Sequence, residues 1–147
     1  MILRYPSVGA APIIMVVVCN LMDHSEKFFP VLLDTGADET CFPSALAAFF
    51  GHDNAHPAVQ SKIVGGVGGS SPAPIHSLRL SLIDPVASTK KNLVKAWTSS
   101  LDRGSFVDAL TASMGLVGRD VMAEWKRVAF RHSPKLPHSK WMIEIEI

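Results

Sequence analysis

Residues 32–38 read Leu-Leu-Asp-Thr-Gly-Ala-Asp, and this stretch decides how the rest of the chain is interpreted. Together with Val31 before it, the pair of leucines forms an apolar run that is typical of a strand buried on both faces. Asp34, Thr35 and Gly36 follow at once, and such residues favour a turn at the end of the strand. The sequence therefore predicts a buried strand that ends in a carboxylate. Asp-Thr-Gly occurs once among the 147 residues.

The segments around this stretch predict a β-hairpin that brings Asp34 to the end of its second strand. Residues 13–20 are rich in β-branched side chains, residues 23–26 are a polar turn, and residues 27–34 return as the partner strand. After the turn, the pattern predicts a short strand over 40–42. A short helix over 44–50 follows, and Gly51 ends it.

A glycine-rich segment lies between two further predicted strands, over 58–64 and 73–83. Residues 65–69 read Gly-Gly-Val-Gly-Gly, and glycines there permit the positive-φ turns of a mobile hairpin. A phosphate-binding loop is a poorer interpretation, because no Gly-Lys-Ser or Gly-Lys-Thr follows and no helix pattern begins after it.

The second half of the chain predicts three more strands and one short helix. The strands are expected over 92–98, 128–130 and 141–147, and the helix over about 120–125. Residues 99–113 have no readable pattern. The last strand alternates strictly, which places one apolar face on Trp141, Ile143, Ile145 and Ile147. Burying such side chains stabilises an association, so we expect this face to contribute to a dimer interface; the alternative is that the strand is core, in which case its loss would prevent folding.

The length of the chain fits one domain over residues 1–147, and its composition is nearly neutral. With 48% hydrophobic residues, 14 basic and 13 acidic side chains and a net charge of +1, the chain has no footprint for nucleic acid or an anionic membrane. The apolar stretch 8–22 is too short for a membrane span and contains Pro12, so we interpret it as part of the fold. The cytoplasm is therefore the default location.

The two cysteines, Cys19 and Cys41, are too few for a disulfide framework. Small apolar thiols in a reducing compartment are the favoured interpretation, and a single bridge is the alternative. Cys41 has an apolar context and no obvious histidine partner, so we expect a buried thiol and not a nucleophile. His52 and His56 have a spacing that could bind a metal on a helix, but glycine and proline flank them, so we expect loop histidines.

Three segments, in order along the chain, resemble the retropepsins, the homodimeric aspartic proteases of retroviruses and their cellular and bacterial relatives. The stretch 32–38 resembles their active-site loop. Residues 62–69, Lys-Ile-Val-Gly-Gly-Val-Gly-Gly, resemble the tip of their flap, which would span about 58–83. Residues 116–120, Leu-Val-Gly-Arg-Asp, resemble the hydrophobic-hydrophobic-Gly segment before the family's arginine and short helix. A lone tripeptide recurs by chance, whereas three ordered matches over roughly residues 13–125 are specific.

The resemblance implies an all-β, retropepsin-like closed barrel, the acid protease fold, with one or two short helices, in a homodimer. Because the chain has one Asp-Thr-Gly, the two catalytic carboxylates would be Asp34 of each subunit. Like charges a few ångström apart cannot both ionise, so the pair would share a proton. One carboxylate would activate water while the other protonates the peptide carbonyl. The implied activity is an aspartic endopeptidase acting on polypeptides, without metal or cofactor.

The resemblance also implies roles for the residues that follow Asp34. The Thr35 hydroxyl is expected to hydrogen bond across the dimer, and Gly36 to let the backbone approach the partner's carboxylate. Ala37 and Asp38 are expected to contact the substrate, with Asp38 accepting a hydrogen bond from a substrate N–H. Asp38 is also expected to pair with Arg119, whose planar guanidinium suits a carboxylate.

In the flap, the backbones of Gly65, Gly66 and Val67 are expected to face the peptide, adding hydrogen bonds as a paired strand does and excluding water. Leu116 and Val117 are expected to pack under the active-site loop. The hairpin predicted over about 128–147 is more similar to the non-viral relatives than to the viral ones, whose dimers are held by interleaved short termini.

Two other functions are compatible with the same fold. One is a catalytically silent dimerisation or peptide-binding module, and the other is a protease that processes only itself. The intact stretch 32–38 argues against the silent module, because a protein without catalysis has no reason to keep two desolvated carboxylates facing each other.

Overall fold

The computed structural model describes residues 1–7, 9–66, 69–110, 114–132 and 141–147, and strands dominate it. The strands are β1 (Ile2–Pro6), β2 (Ile13–Asn20), β3 (Glu26–Leu33), β4 (Cys41–Pro43), β5 (Gln60–Gly66), β6 (Gly69–Ile83), β7 (Lys95–Thr98), β8 (Arg103–Val107), β9 (Gly115–Val117), β10 (Arg127–His132) and β11 (Trp141–Glu146). The helical elements are two 3₁₀ turns, Ser44–Leu46 and Ala48–Phe50, and the helix α1 (Arg119–Met122). None of the helices in the described ranges is long and apolar enough to cross a membrane.

Six strands close into a barrel in the order β2, β3, β9, β4, β8, β6 and back to β2. The β3–β9 and β4–β8 pairs are parallel, and the other pairs in the ring are antiparallel. The prediction of an all-β closed barrel is confirmed. Strand β5 pairs with the first half of β6, forming a hairpin that contains the predicted flap.

An aromatic cluster fills part of the barrel. Four buried phenylalanine rings pack edge to face or stacked, with centroids 5.0–6.2 Å apart: Phe29, Phe42, Phe50 and Phe106. Aromatic pairs at such distances add stability beyond their buried area. Phe42 leads into the two 3₁₀ turns, and Gly51 ends them with a left-handed φ of 80°. The sequence predicted one short helix there, and the structure divides it at Ala47.

Strand β3 is buried on one face only. Phe29, Val31 and Leu33 point into the barrel, whereas Phe28 is 44% exposed and Leu32 is half-buried on the outer face. The prediction of a strand buried on both faces is therefore wrong, because the side chains on the outer face keep part of their surface exposed among the residues that the structure describes. The segment at Leu116 and Val117 divides likewise, since Val117 is buried and Leu116, which lies opposite Leu32, is half-buried.

A second sheet, in the order β1, β11, β10, is antiparallel throughout. Strand β1 was not predicted, although its burial alternates residue by residue with Leu3 and Tyr5 buried. The Tyr5 hydroxyl donates to the Ile83 carbonyl at 2.6 Å and so ties this sheet to barrel strand β6. Strand β8 was also not predicted; it lies in the segment without a readable pattern.

The apolar face of β11 packs in the core of its own chain. Ile143 and Ile145 have no exposed surface and belong to the main hydrophobic cluster, next to Leu3 and Tyr5 of β1. The expectation that these isoleucines serve a dimer interface is therefore wrong, because their neighbours within the chain already bury them. The opposite face of the strand carries Glu144, which is surrounded by three arginines: Arg4 and Arg131 at 3.0 Å and Arg127 at 4.0 Å.

Candidate active site

Asp34 lies immediately after β3, in a turn that three hydrogen bonds define. Its N–H donates to the Val117 carbonyl of β9 at 3.0 Å, and its carbonyl accepts from the Ala37 N–H at 3.2 Å. The Gly36 N–H donates to the Asp34 Oδ1 at 2.8 Å. A hydrogen-bonded turn of this kind holds a half-buried carboxylate in a defined position while leaving it accessible to water.

Glycine at position 36 allows this close approach. A Cβ on Gly36 would lie 3.1 Å from Oδ1 of Asp34, tighter than most real contacts. The structure shows that Gly36 approaches the carboxylate of its own chain, whereas its approach to a partner's carboxylate stays a prediction. Thr35 and Asp38 are exposed and Ala37 is half-buried, so the whole turn faces outward.

Helix α1 holds the far side of the same turn. The backbone N–H groups of Arg119 and Asp120 donate to the carbonyls of Ala37 and Asp38 at 2.9 and 3.1 Å. The Arg119 guanidinium also donates to the Asp38 carboxylate. The structure thus brings together the two segments that carry these residues, although 81 positions separate the members of the ion pair.

Thr40 and Asp120 form a second connection that the sequence analysis missed. The carboxylate of Asp120 accepts from the Thr40 hydroxyl at 2.7 Å and from the Thr40 N–H at 2.9 Å. The Thr40 hydroxyl in turn accepts from the Gly118 N–H at 3.1 Å. Asp120 was already in the quoted segment 116–120, and its place in the first turn of α1 is one that favours a carboxylate. Its partner, 80 residues away, had no local signal.

Gly118 joins β9 to α1 and lies against the backbone of Glu39, next to the active-site turn. A Cβ at this position would lie 2.5 to 2.8 Å from backbone atoms of Glu39. Because these atoms belong to the backbone, no side-chain rotation can relieve the clash. Gly118 is buried, and its φ of −93° is open to any residue, so the constraint is close packing and not backbone conformation.

Replacing Gly118 by alanine is therefore expected to lower the free energy of unfolding by about 1–3 kcal/mol, because the turn or α1 must move apart. Urea unfolding followed by tryptophan fluorescence measures this. Gly65→Ala is the matched control, since a Cβ there meets nothing within 4 Å. Equal stabilities of the two variants would contradict the close packing seen at Gly118.

The predicted flap tip lies at the edge of the described residues. Strands β5 and β6 pair from Gln60 opposite Ile75 up to Gly66 opposite Gly69. Gly65 is exposed, and Val67, one of the expected substrate contacts, lies outside the described residues.

The cysteine and histidine interpretations have separate outcomes. Cys19 and Cys41 are both free thiols, as predicted. Burial, helped by Glu39 and Asp120, raises the pKa of Cys41 to about 11, so its thiol stays protonated at neutral pH. His56 is exposed, whereas His52 is buried.

His52 stacks on His76 of β6, with ring centroids 4.5 Å apart and ring planes at 14°. Both histidine rings pack edge to face with the ring of Phe106. His76 Nε2 lies 2.7 Å from Asn54 Oδ1. Burial lowers the pKa of both histidines, and for His76 the neighbouring His52 lowers it further. Asp23 acts in the opposite direction on the pKa of His52, and Asp53 does so on that of His76.

These lowered pKa values predict a loss of stability in mild acid. The unfolded chain takes up protons below its ordinary histidine pKa of about 6.5 while the folded chain does not. The stabilising contribution is therefore complete above about pH 6.5 and is lost as the pH falls below it. Urea unfolding at about pH 7.5 and 5.5 should show a smaller drop for His76→Gln than for wild type. His56→Gln, the exposed control, should behave as wild type, and an unchanged drop in His76→Gln would contradict the argument.

Comparisons with protein-family models and with curated protein sequences find no match. Among solved structures, the chain is similar to a retropepsin-like aspartic protease from Rickettsia conorii, with a TM-score of 0.57 and 12% identity over 99% of this chain and 91% of that one. It also matches EIAV protease complexed with the inhibitor HBY-793, with a TM-score of 0.46 and 20% identity over 78% of this chain and 86% of that one. The closed barrel, the Asp-Thr-Gly turn after β3 and the Rickettsia likeness together identify a retropepsin-like fold.

Proposed function

We propose that the chain is one subunit of a homodimeric aspartic endopeptidase. The observation that carries the proposal is the Asp34 turn, because a half-buried carboxylate is held at the end of a barrel strand in a fold that aspartic proteases use. One such carboxylate per chain is half of the pair that this chemistry needs. A second copy would supply the other Asp34.

In this proposal the two Asp34 carboxylates share one proton and activate a water molecule that attacks the peptide carbonyl. Thr35 and Gly36 support the turn, and Ala37 and Asp38 bind the substrate backbone. The ion pair of Asp38 with Arg119 keeps that carboxylate in place beside α1.

The flap contributes the other side of the substrate site. Gly65, Gly66 and Val67 would present backbone groups to an extended peptide, as an added strand does. A flap that closes over the peptide excludes water from the reacting bond.

An apolar strip on the outer face of β3 supports the proposal that a second subunit or a peptide covers this side of the Asp34 turn in the working enzyme. Phe28, Leu32 and the neighbouring Leu116 form a partly exposed apolar strip that leads to Asp34. Apolar surface of this kind marks interaction sites. A second subunit and an extended peptide would both reduce its exposure.

The test is cleavage of a diverse peptide library, read by mass spectrometry, with wild type and Asp34→Asn. Wild type should cleave and Asp34→Asn should not, while both remain folded dimers in sedimentation. Asp102→Asn, an exposed carboxylate next to β8, is the matched control and should cleave normally. Peptide binding without cleavage by wild type would favour the silent peptide-binding module instead.

A further inference from the structure

An ion pair joins the predicted flap to the residue that follows the active-site turn. Lys62 Nζ of β5 lies 2.6 Å from Glu39 Oε2, and both side chains remain partly exposed. That carboxylate oxygen is itself shielded from solvent, and no hydrogen bond of good geometry from the described residues reaches it. Lys62 therefore provides the positive charge next to this shielded oxygen, while the exposure of the rest of the Glu39 carboxylate keeps the pair weak enough to break and re-form.

The two adjacent acids divide between two cations. Asp38 pairs with Arg119 of α1, and Glu39 pairs with Lys62 of β5. The active-site turn is thus bound by charge to the helix on one side and to the flap strand on the other. Lys62 lies three positions before Gly65, close to the flap tip.

A small apolar cluster supports the same contact from below. Cys41 of β4, Ala73 of β6 and Val107 of β8 are buried together, and Val64 of β5 packs against them. Ala73 pairs with Lys62 in the β5–β6 register. The cluster therefore packs the flap hairpin at the level of Lys62 and just beyond it toward the tip, so the charged contact and the apolar contact hold the same part of the flap against the barrel.

We propose that Lys62 and Glu39 form a positioning pair, the flap–loop ion pair, that holds the flap of each subunit against its own active-site turn. Opening the flap to admit a peptide would separate the two charges, and closing it would restore them. The catalytic consequence rests on the proposed function, whereas the effect on flap motion does not.

Flap motion is tested in the Asp34→Asn background, which needs no activity. Hydrogen exchange of the peptide spanning residues 60–66 should become about threefold faster or more in Lys62→Gln and in Glu39→Gln. Lys62→Glu combined with Glu39→Lys should return the rate toward the starting value, because the attraction is restored with the charges exchanged.

Lys95→Gln is the matched control. Lys95 of β7 pairs with Glu26 of β3 on another part of the surface, so its loss should leave flap exchange unchanged. Raising the salt concentration should speed flap exchange in the parent and much less in Lys62→Gln, because salt screens exposed charges. Unchanged exchange in both single variants, or a charge exchange no better than either, would overturn the proposal.

The catalytic readout is made in the active chain. Lys62→Gln should raise KM more than it lowers kcat, since the pair acts on closure over the substrate and touches no reacting atom. The charge-exchanged variant should recover KM. Absence of cleavage by wild type would overturn the proposed function and leave the exchange result standing, so the two failures are distinguishable.

Discussion

Cleavage is expected to fall with the square of the wild-type fraction when wild-type subunits are mixed with Asp34→Asn subunits at constant total concentration. Each active site would take one Asp34 from each chain, so a mixed dimer would hold a single carboxylate. An amide at position 34 cannot share the proton or act as a base. An equal mixture should therefore keep about one quarter of the activity, and Asp34→Asn alone should lose roughly 10²–10⁴-fold or more in kcat.

The same mixing with Asp102→Asn subunits is the control and should leave activity unchanged. Refolding the mixtures together ensures that subunits exchange before the assay. A linear fall with the fraction of wild type would mean that each chain is active alone, and it would end the two-carboxylate argument. Loss of specific activity on dilution of wild type should accompany the quadratic result, because dissociation separates the two carboxylates.

The barrel hairpin could be predicted because its signals are local. The bounds of β2 agree with the predicted strand at both ends, since a run of β-branched residues stops at Asn20 before a polar turn. The turn at Asp34 was predictable for the same reason, as an apolar strand that ends in Asp-Thr-Gly. The division of residues 44–50 into two 3₁₀ turns was less predictable, because a short α-helix and a short 3₁₀ helix share the same apolar pattern.

The contacts that hold the candidate site together are mostly not local. Thr40 has no neighbour in sequence that points to Asp120, and Glu39 has none that points to Lys62. Only the closed barrel, which places β9 and β5 on either side of the active-site turn, brings these partners together. Sequence patterns indicated which segments matter, whereas the ion pairs between them depend on how the strands close.

The alternation in β11 shows a further limit. A strand with one regular apolar face can cover a core or a partner, and its sequence is the same in both cases. Strand β1 decides between them. It comes from the opposite end of the sequence and pairs with β11, so that Leu3 and Tyr5 pack beside Ile143 and Ile145. Because β1 is short and ends at Pro6, its pattern was too brief to be recognised.

Replacing Ile143 or Ile145 by alanine is therefore expected to destabilise the fold and not the association of the proposed dimer. Each fully buried isoleucine removed should cost roughly 2–5 kcal/mol, since the cavity cannot collapse against paired strands. Both together would approach the total stability of a typical domain, about 5–15 kcal/mol, so the double variant should be largely unfolded.

Urea unfolding and sedimentation separate the two roles. If the strand is core, Ile143→Ala lowers the free energy of unfolding by roughly 2–5 kcal/mol. The dissociation constant of the proposed dimer, measured on folded protein, then stays near that of wild type. Phe130→Ala on the neighbouring strand β10 is the control, because that side chain is 38% exposed and its loss should cost far less. A small change in stability with a large change in the dissociation constant would instead return Ile143 to an interface. The burial of both isoleucines within one chain argues against that outcome, because a side chain without exposed surface has nothing left to bury against a partner.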